Sequence, residues 1–282
     1  MAPPLAWGSR TYLMGIVNVT PDSFSGDGLA DGRPIDEVVT AALAQARAFV
    51  DAGAEIIDVG AESTRPRSAY GDHPEIDAEV EAALAVPVVR AIVEDLGPRA
   101  VVSIDTSKGN VAAAALEAGA TIVNDVWAAR RDPGTANAAA HHGAHLVLMH
   151  NQEGADYADG VFHTVVRELG EAVGHAIGRG VPRERLIVDP GIGFGKGTDQ
   201  NLELLHRLGE LKTALGGLPL LIGTSRKRFI GALLDGAAPD DRVEGTAATV
   251  ALAIAAGADI VRVHDVAHLA RTRRVADAII RR

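Results

Sequence analysis

The chain has 282 residues, 47% of them hydrophobic but only 4% aromatic, no cysteine, and a net charge of −10. The acidic balance argues against a general nucleic-acid binder, which needs a basic face, and zero cysteines exclude disulfides and thiolate metal sites. The start, Met1-Ala2-Pro3-Pro4, lacks a signal peptide's basic and apolar run, and no apolar stretch reaches the roughly 18 residues of a membrane span, so no membrane association and a cytoplasmic location are expected.

Short runs rich in Val and Ile read as strands at residues 12–19, 55–60, 100–106, 121–126, 145–150, 186–190, 218–224 and 260–265. Ala- and Leu-rich stretches with helical spacing lie between them. Pro34-Ile35-Asp36-Glu37 opens one such helix, and Val38, Ala42, Ala46 and Phe49 then recur at three or four residues. Gly53, Gly119, Gly143, Gly180 and Gly257 each fall between a helical stretch and the next strand, where a left-handed residue closes a helix cheaply. Strand, helix and glycine in alternation imply parallel βαβ units. Eight such units can close into a (β/α)₈ barrel or lie open as a doubly wound sheet. Polar residues follow the strands from first to last, which favours a barrel over residues 1–282 as one domain. The long connections 21–33 and 61–77 both follow strands and read as active-face loops.

The strand ends carry Asn18, Asp58, Glu62, Asp105, Asn124, Asp125, His150, Asp189, Ser225, Lys227, Arg262 and His264. Asp105, Asn124 and Asp189 around a dry pocket would suit a flat heterocycle rich in N–H donors; alternatively they cap the following helices. Alternation puts Arg262 and His264 on one side of a strand. Together they could hold an anionic leaving group, or form a structural ion pair with Asp265 or Glu62. Lys227 stands out in the basic turn Thr224-Ser225-Arg226-Lys227-Arg228, where Arg228 reads as a plain surface charge. Asn18 could help hold Mg²⁺ beside substrate phosphates. The segment Gly191-Ile192-Gly193-Phe194-Gly195-Lys196 resembles a phosphate loop but fits neither nucleotide template, so its glycines are expected to let backbone and Phe194 approach a ligand. His141, His142, His145 and His150 cluster in sequence, but no His-Glu-x-x-His helix is present, so no zinc site is expected.

Taken together, these motifs resemble the dihydropteroate synthase family. The resemblance rests on residues 14–25 (Met-Gly-Ile-Val-Asn-Val-Thr-Pro-Asp-Ser-Phe-Ser), Glu62-Ser63-Thr64-Arg65-Pro66, Ser103-Ile104-Asp105-Thr106, Asn124-Asp125-Val126, Asp189-Pro190-Gly191-Ile192-Gly193-Phe194, Gly223-Thr224-Ser225-Arg226-Lys227 and Arg262-Val263-His264-Asp265. It implies a (β/α)₈ barrel, a homodimer, and an Mg²⁺-assisted step of folate biosynthesis that sulfonamides target. In that step 6-hydroxymethyl-7,8-dihydropterin diphosphate condenses with 4-aminobenzoate to give 7,8-dihydropteroate and diphosphate. By the family pattern Asp105, Asn124, Asp189 and Lys227 hold the pterin, with Met149 lining its pocket. Asn18, Thr64, Arg262 and His264 correspond to the diphosphate and Mg²⁺ site. Phe24, Thr64, Arg65, Pro66, Phe194, Ser225 and Lys227 correspond to the aminobenzoate side. Two loop positions depart from the pattern. Gly26 replaces a carboxylate, so that Asp27 would have to serve from one residue on, and Gly60-Ala61 with Arg67 replaces a more glycine-rich second loop.

Overall fold

Period-two alternation decides which side chains of each strand enter the centre of the sheet. The computed structural model describes residues 4–20, 28–30, 32–62 and 76–281. In it Tyr12–Asn18 (β1), Ile56–Gly60 (β2), Val101–Asp105 (β3), Ile122–Asp125 (β4), His145–Met149 (β5), Leu186–Asp189 (β6), Leu221–Ile222 (β7) and Ile260–Val263 (β8) are the strands. They pair in parallel in the order β6-β5-β4-β3-β2-β1-β8-β7. The ends of that row meet: Val188 bridges to Leu220, and the Val188 N–H donates to the Pro219 carbonyl at 2.9 Å. The sheet is therefore rolled into the expected barrel. The seventh strand is much shorter than its apolar run; on its N-terminal side Pro219 has no N–H to give to a ladder.

Helices follow the strands: α1 (Ile35–Ala52), α2 (Ala78–Leu96), α3 (Gly109–Glu117), α4 (Gly134–His142), α5 (Val161–Gly178), the pair α6 (Thr198–His206) and α7 (Leu208–Ala214), α8 (Arg228–Leu233), α9 (Val243–Ala255) and α10 (Val266–Ile280). In α1 the buried positions are Val38, Ala42, Ala46 and Val50, so the stripe read from the sequence is the one that faces the sheet, with Phe49 at its edge. All five interelement glycines have positive φ, from 62° at Gly143 to 109° at Gly53, a conformation that costs glycine little. Among the described residues no helix is long and apolar enough to cross a membrane.

The outward strand residues, such as Leu13, Ile57, Ile104 and Val261, pack under the helices. The inward ones form a second, separate cluster: Tyr12, Met14, Ile56, Val101, Ile122, Val147, Ile187, Leu221 and Ile260. This ring is a solid apolar floor. Trp7 closes it from below, edge-on to Tyr12 at 5.6 Å and to His145 at 5.7 Å between ring centroids.

His145 at this lower end accepts from Arg185 (Nη1 to Nε2, 3.2 Å), which requires the neutral ring. Burial, and then the charge of Arg185, pull its pKa down to about 4. The native state therefore binds fewer protons than the unfolded one between about pH 6.5 and 4. The stability tied to His145 is complete above that window and falls through it on acidification, by roughly 1 kcal/mol per pH unit. In urea titrations at pH 7.0 and 5.0, His145→Gln is expected to lose less stability on acidification than the parent chain; equal losses would contradict this account.

Candidate active site

Two residues beyond the apolar floor, the inward positions change character on nearly every strand. Ile56 is followed by Asp58, Val101 by Ser103, Ile122 by Asn124, Val147 by Met149, Ile187 by Asp189, and Ile260 by Arg262. One more step up brings Asn18, Asp105 and His264. The barrel thus places a polar layer directly on an apolar one, at the C-terminal strand ends where such folds carry their chemistry.

Arg262 organises this layer. Its Nε donates to Asp58 Oδ2 at 2.7 Å and its Nη2 to Asp105 Oδ2 at 2.7 Å. Asn124 Nδ2 donates to the same Asp58 oxygen at 2.9 Å. Asp58 is wholly buried, and Asp105, Asn124 and Asp189 are at most 6% exposed. Burial alone would lower the pKa of Arg262, but Asp58 and Asp105 hold it above its ordinary value. Burial pushes Asp105 well above the carboxylate range, with Arg262 pulling the other way and Asp58 adding to the push. Asp189 is raised by burial too, against the pull of Lys227. Oδ1 of both Asp58 and Asp105 has no hydrogen-bond partner within the protein. Of the two readings of Arg262, the structural ion pair does form, but with Asp58 and Asp105 rather than with Asp265 or Glu62: Asp265 binds Arg226 at 2.6 Å, and Glu62 binds Lys108 at 2.8 Å.

The cationic turn lies across the mouth from Asp105. Lys227 donates to the Ile192 carbonyl and sits 4.6 Å from the centre of the Phe194 ring. Ser225 Oγ is 3.0 Å from His264 Nδ1 and accepts from the His264 N–H at 3.1 Å. Arg226 is structural: at a φ of 59° it turns away to Asp265, and its carbonyl accepts from Arg242 at 2.7 Å. Met149 lines the wall between β4 and β6, and Asn18 stands half-buried at the end of β1.

The glycine-rich loop after β6 is fastened by a residue that motif reading passed over. Lys196 Nζ donates to the carbonyls of Gly191 (3.0 Å) and Phe194 (2.9 Å) and lies 3.1 Å from His150 Nδ1. Burial brings Lys196 down to about 7 and His150 down to about 3, so His150 offers a neutral acceptor. Gly191 and Gly193, with φ of 68° and 83°, let the backbone pass under this ammonium. The same loop sets Asp189, whose Oδ1 accepts from the Gly191 N–H at 2.7 Å. Capping was one reading of the strand-end acids, and Asp189 does cap its own turn with one oxygen. Asp125 is wholly structural: it faces outward and accepts from Trp127, Ala129 and Thr135.

Glu62 closes the base of the second long loop. One oxygen accepts from the Ile76 N–H at 3.3 Å and the other binds Lys108, which also holds the buried Glu81 at 2.5 Å. Phe24, Asp27, Thr64, Arg65 and Pro66 lie outside the described residues. Among the described residues no group of three or more His, Asp or Glu side chains is placed to hold a metal.

A family profile described as pterin binding enzyme matches residues 14–264. Dihydropteroate synthase of Bacillus subtilis is 44% identical over 276 residues, covering 98% of this chain and 91% of the relative. The Escherichia coli protein of that name is 41% identical, covering 96% and 93%. Among solved structures, dihydropteroate synthase from Clostridium difficile in the presence of pteroic acid superposes with a TM-score of 0.88 at 42% identity, covering 98% of this chain and 99% of that one. The Xanthomonas albilineans enzyme with 4-aminobenzoic acid gives 0.86 at 39% identity, covering 96% and 94%. With matched residues running from the first strand to the last and the barrel's charged layer falling inside them, the chain belongs to the pterin-binding enzymes, within the dihydropteroate synthase family.

Proposed function

We propose that this protein condenses 6-hydroxymethyl-7,8-dihydropterin diphosphate with 4-aminobenzoate, releasing diphosphate and forming 7,8-dihydropteroate. The observation that carries this reading is the pairing, on one rim, of buried acceptors at Asp105, Asn124 and Asp189 with cations at Lys227 and Arg262. The acceptors suit the N–H edge of a pterin. As the bond from the pterin methylene to the diphosphate oxygen breaks, positive charge grows on the pterin and negative charge on the leaving group. Carboxylates at 105 and 189 favour the first, and Arg262 with His264 favours the second, so the site binds the transition state better than the ground state. The aminobenzoate nitrogen brings its own lone pair; it attacks the methylene carbon and then loses a proton. No activated serine or cysteine is needed. Lys227 and Phe194, stacked on each other at the mouth, would flank the incoming ring, with Ser225 beside its carboxylate.

The donor set fits magnesium only as an ion that travels with the diphosphate. Asp58 and Asp105 each give one oxygen to Arg262 and lie deep in the barrel, so Asn18, half-buried at the rim, is the protein ligand proposed in this part of the mouth. When bound, the ion would neutralise the departing diphosphate. Phe24, Asp27, Thr64, Arg65 and Pro66 complete the proposal from the two loops. Assembly as a homodimer belongs to the same reading, supported by the exposed Leu252 on α9 and Val275 and Ile279 on α10, and is checked by sedimentation equilibrium.

In a coupled diphosphate-release assay, turnover should require both substrates, stop on chelation and return with added Mg²⁺. A folded protein that releases no diphosphate with all three present would refute the reading. Lys227→Ala should raise the dissociation constant for the pterin diphosphate at least tenfold by calorimetry, and an unchanged value would remove Lys227 from the site. Gly193→Ala puts a Cβ 2.7 Å from Lys227 Cδ at a φ of 83°. It should lower stability by about 1–3 kcal/mol and weaken pterin binding as well; a loss of neither in thermal melts and calorimetry would contradict the described loop.

A further inference from the structure

Asp58 is the most deeply buried acid of the polar layer, and the reaction as written gives it no part. It lies between β1 and β3, opposite Ile16 on one side and Ser103 on the other. Its Oδ2 receives two donors from opposite directions, Asn124 Nδ2 at 2.9 Å and Arg262 Nε at 2.7 Å. Asn124 is the one group in the pterin arc whose chemistry is ambiguous. An ionised aspartate, the form that a cationic pterin favours at 105 and 189, offers acceptors whichever way it turns, whereas an amide offers an acceptor on one side and a donor on the other. A carboxylate below Asn124 settles the question, since only Nδ2 can bond to it.

We infer that Asp58 is a positioning residue that fixes the Asn124 amide with its nitrogen down and its oxygen toward the ligand, so that residues 105, 124 and 189 present acceptors alone. This inference rests on the pterin reading above and goes beyond it, because it makes recognition of the N–H edge depend on a residue that does not touch the ligand. It also gives Arg262 a second duty. Its Nε occupies the same Asp58 oxygen, which holds that carboxylate in the rotamer that reaches Asn124.

The role separates acceptor from charge. In Asp58→Asn the side-chain oxygen can stand where Oδ2 stands and accept from both donors. In Asp58→Leu no acceptor remains and the Asn124 amide is released. The measurement is calorimetric binding of 6-hydroxymethyl-7,8-dihydropterin diphosphate in the absence of aminobenzoate, with thermal melts to establish folding. Asp58→Leu should raise the dissociation constant at least tenfold, and Asp58→Asn less than threefold. Adding Asn124→Asp to Asp58→Leu should recover at least threefold of the loss, because a carboxylate at 124 presents an acceptor in either orientation. A purely structural aspartate predicts no such recovery. The inference is overturned if folded Asp58→Leu binds within twofold of the parent, if Asp58→Asn loses as much as Asp58→Leu, or if the second substitution recovers nothing. Should Asp58→Leu not fold, Asp58→Ser, whose hydroxyl stops one bond short of the Oδ2 position, is held to the same thresholds. Failure of the parent chain itself to bind the pterin diphosphate would instead defeat the functional reading.

Discussion

A guanidinium buried in the throat of the barrel, shared by two carboxylates, is the constraint on which the site depends. Moving Arg262, Asp58 and Asp105 out of water carries a desolvation cost of several kcal/mol per ion. It is offset only because the three groups sit at 2.7 Å with charge-assisted geometry. The arrangement does not satisfy every polar atom. Asp58 and Asp105 each keep an unpartnered oxygen, and two acids to one arginine leave the layer short of positive charge. A protein built for stability alone would have filled this volume with aliphatic side chains, as the layer beneath it does. The unpaired acceptors make sense as an unfinished network that a donor-rich, cation-forming ligand completes.

A second buried basic side chain does the comparable task for the backbone. Lys196 draws the carbonyls of Gly191 and Phe194 toward one point, while the Gly191 N–H is given to Asp189. The loop is thereby bent so that an acid faces inward and an aromatic ring faces Lys227. Glycine at 191 is required for this bend: a Cβ there would lie 1.8 Å from the His150 carbonyl oxygen. Loop strain, a buried lysine and a neutral histidine are thus one device.

Most of the barrel was legible in the sequence because its strands are short Val- and Ile-rich runs and five of the helix-to-strand passages carry a glycine. Arg262 and His264 were legible as a pair for the same reason, alternation along one strand. What was not legible is register between strands. Nothing local says that Asp58 meets Asn124 from two strands away, so Asp58 read as one more strand-end acid. The distinction between Asn124 and Asp125 was within reach, since neighbouring residues must face opposite ways, and only the first faces in. Lys196 was hidden by comparison with phosphate loops, in which a lysine after glycines serves a ligand; here it serves the chain.

The floor under the polar layer has a consequence for traffic. With the apolar ring solid and Trp7 set against Tyr12 and His145 beneath it, the barrel is a vessel with one mouth. In the proposed reaction the pterin lies deepest, so it has to arrive before the aminobenzoate that would sit above it. Diphosphate leaves past the Arg262 and His264 side of the same opening. A molecule lodged at the rim therefore does more than compete for its own place: it corks the vessel and keeps whatever lies below from leaving.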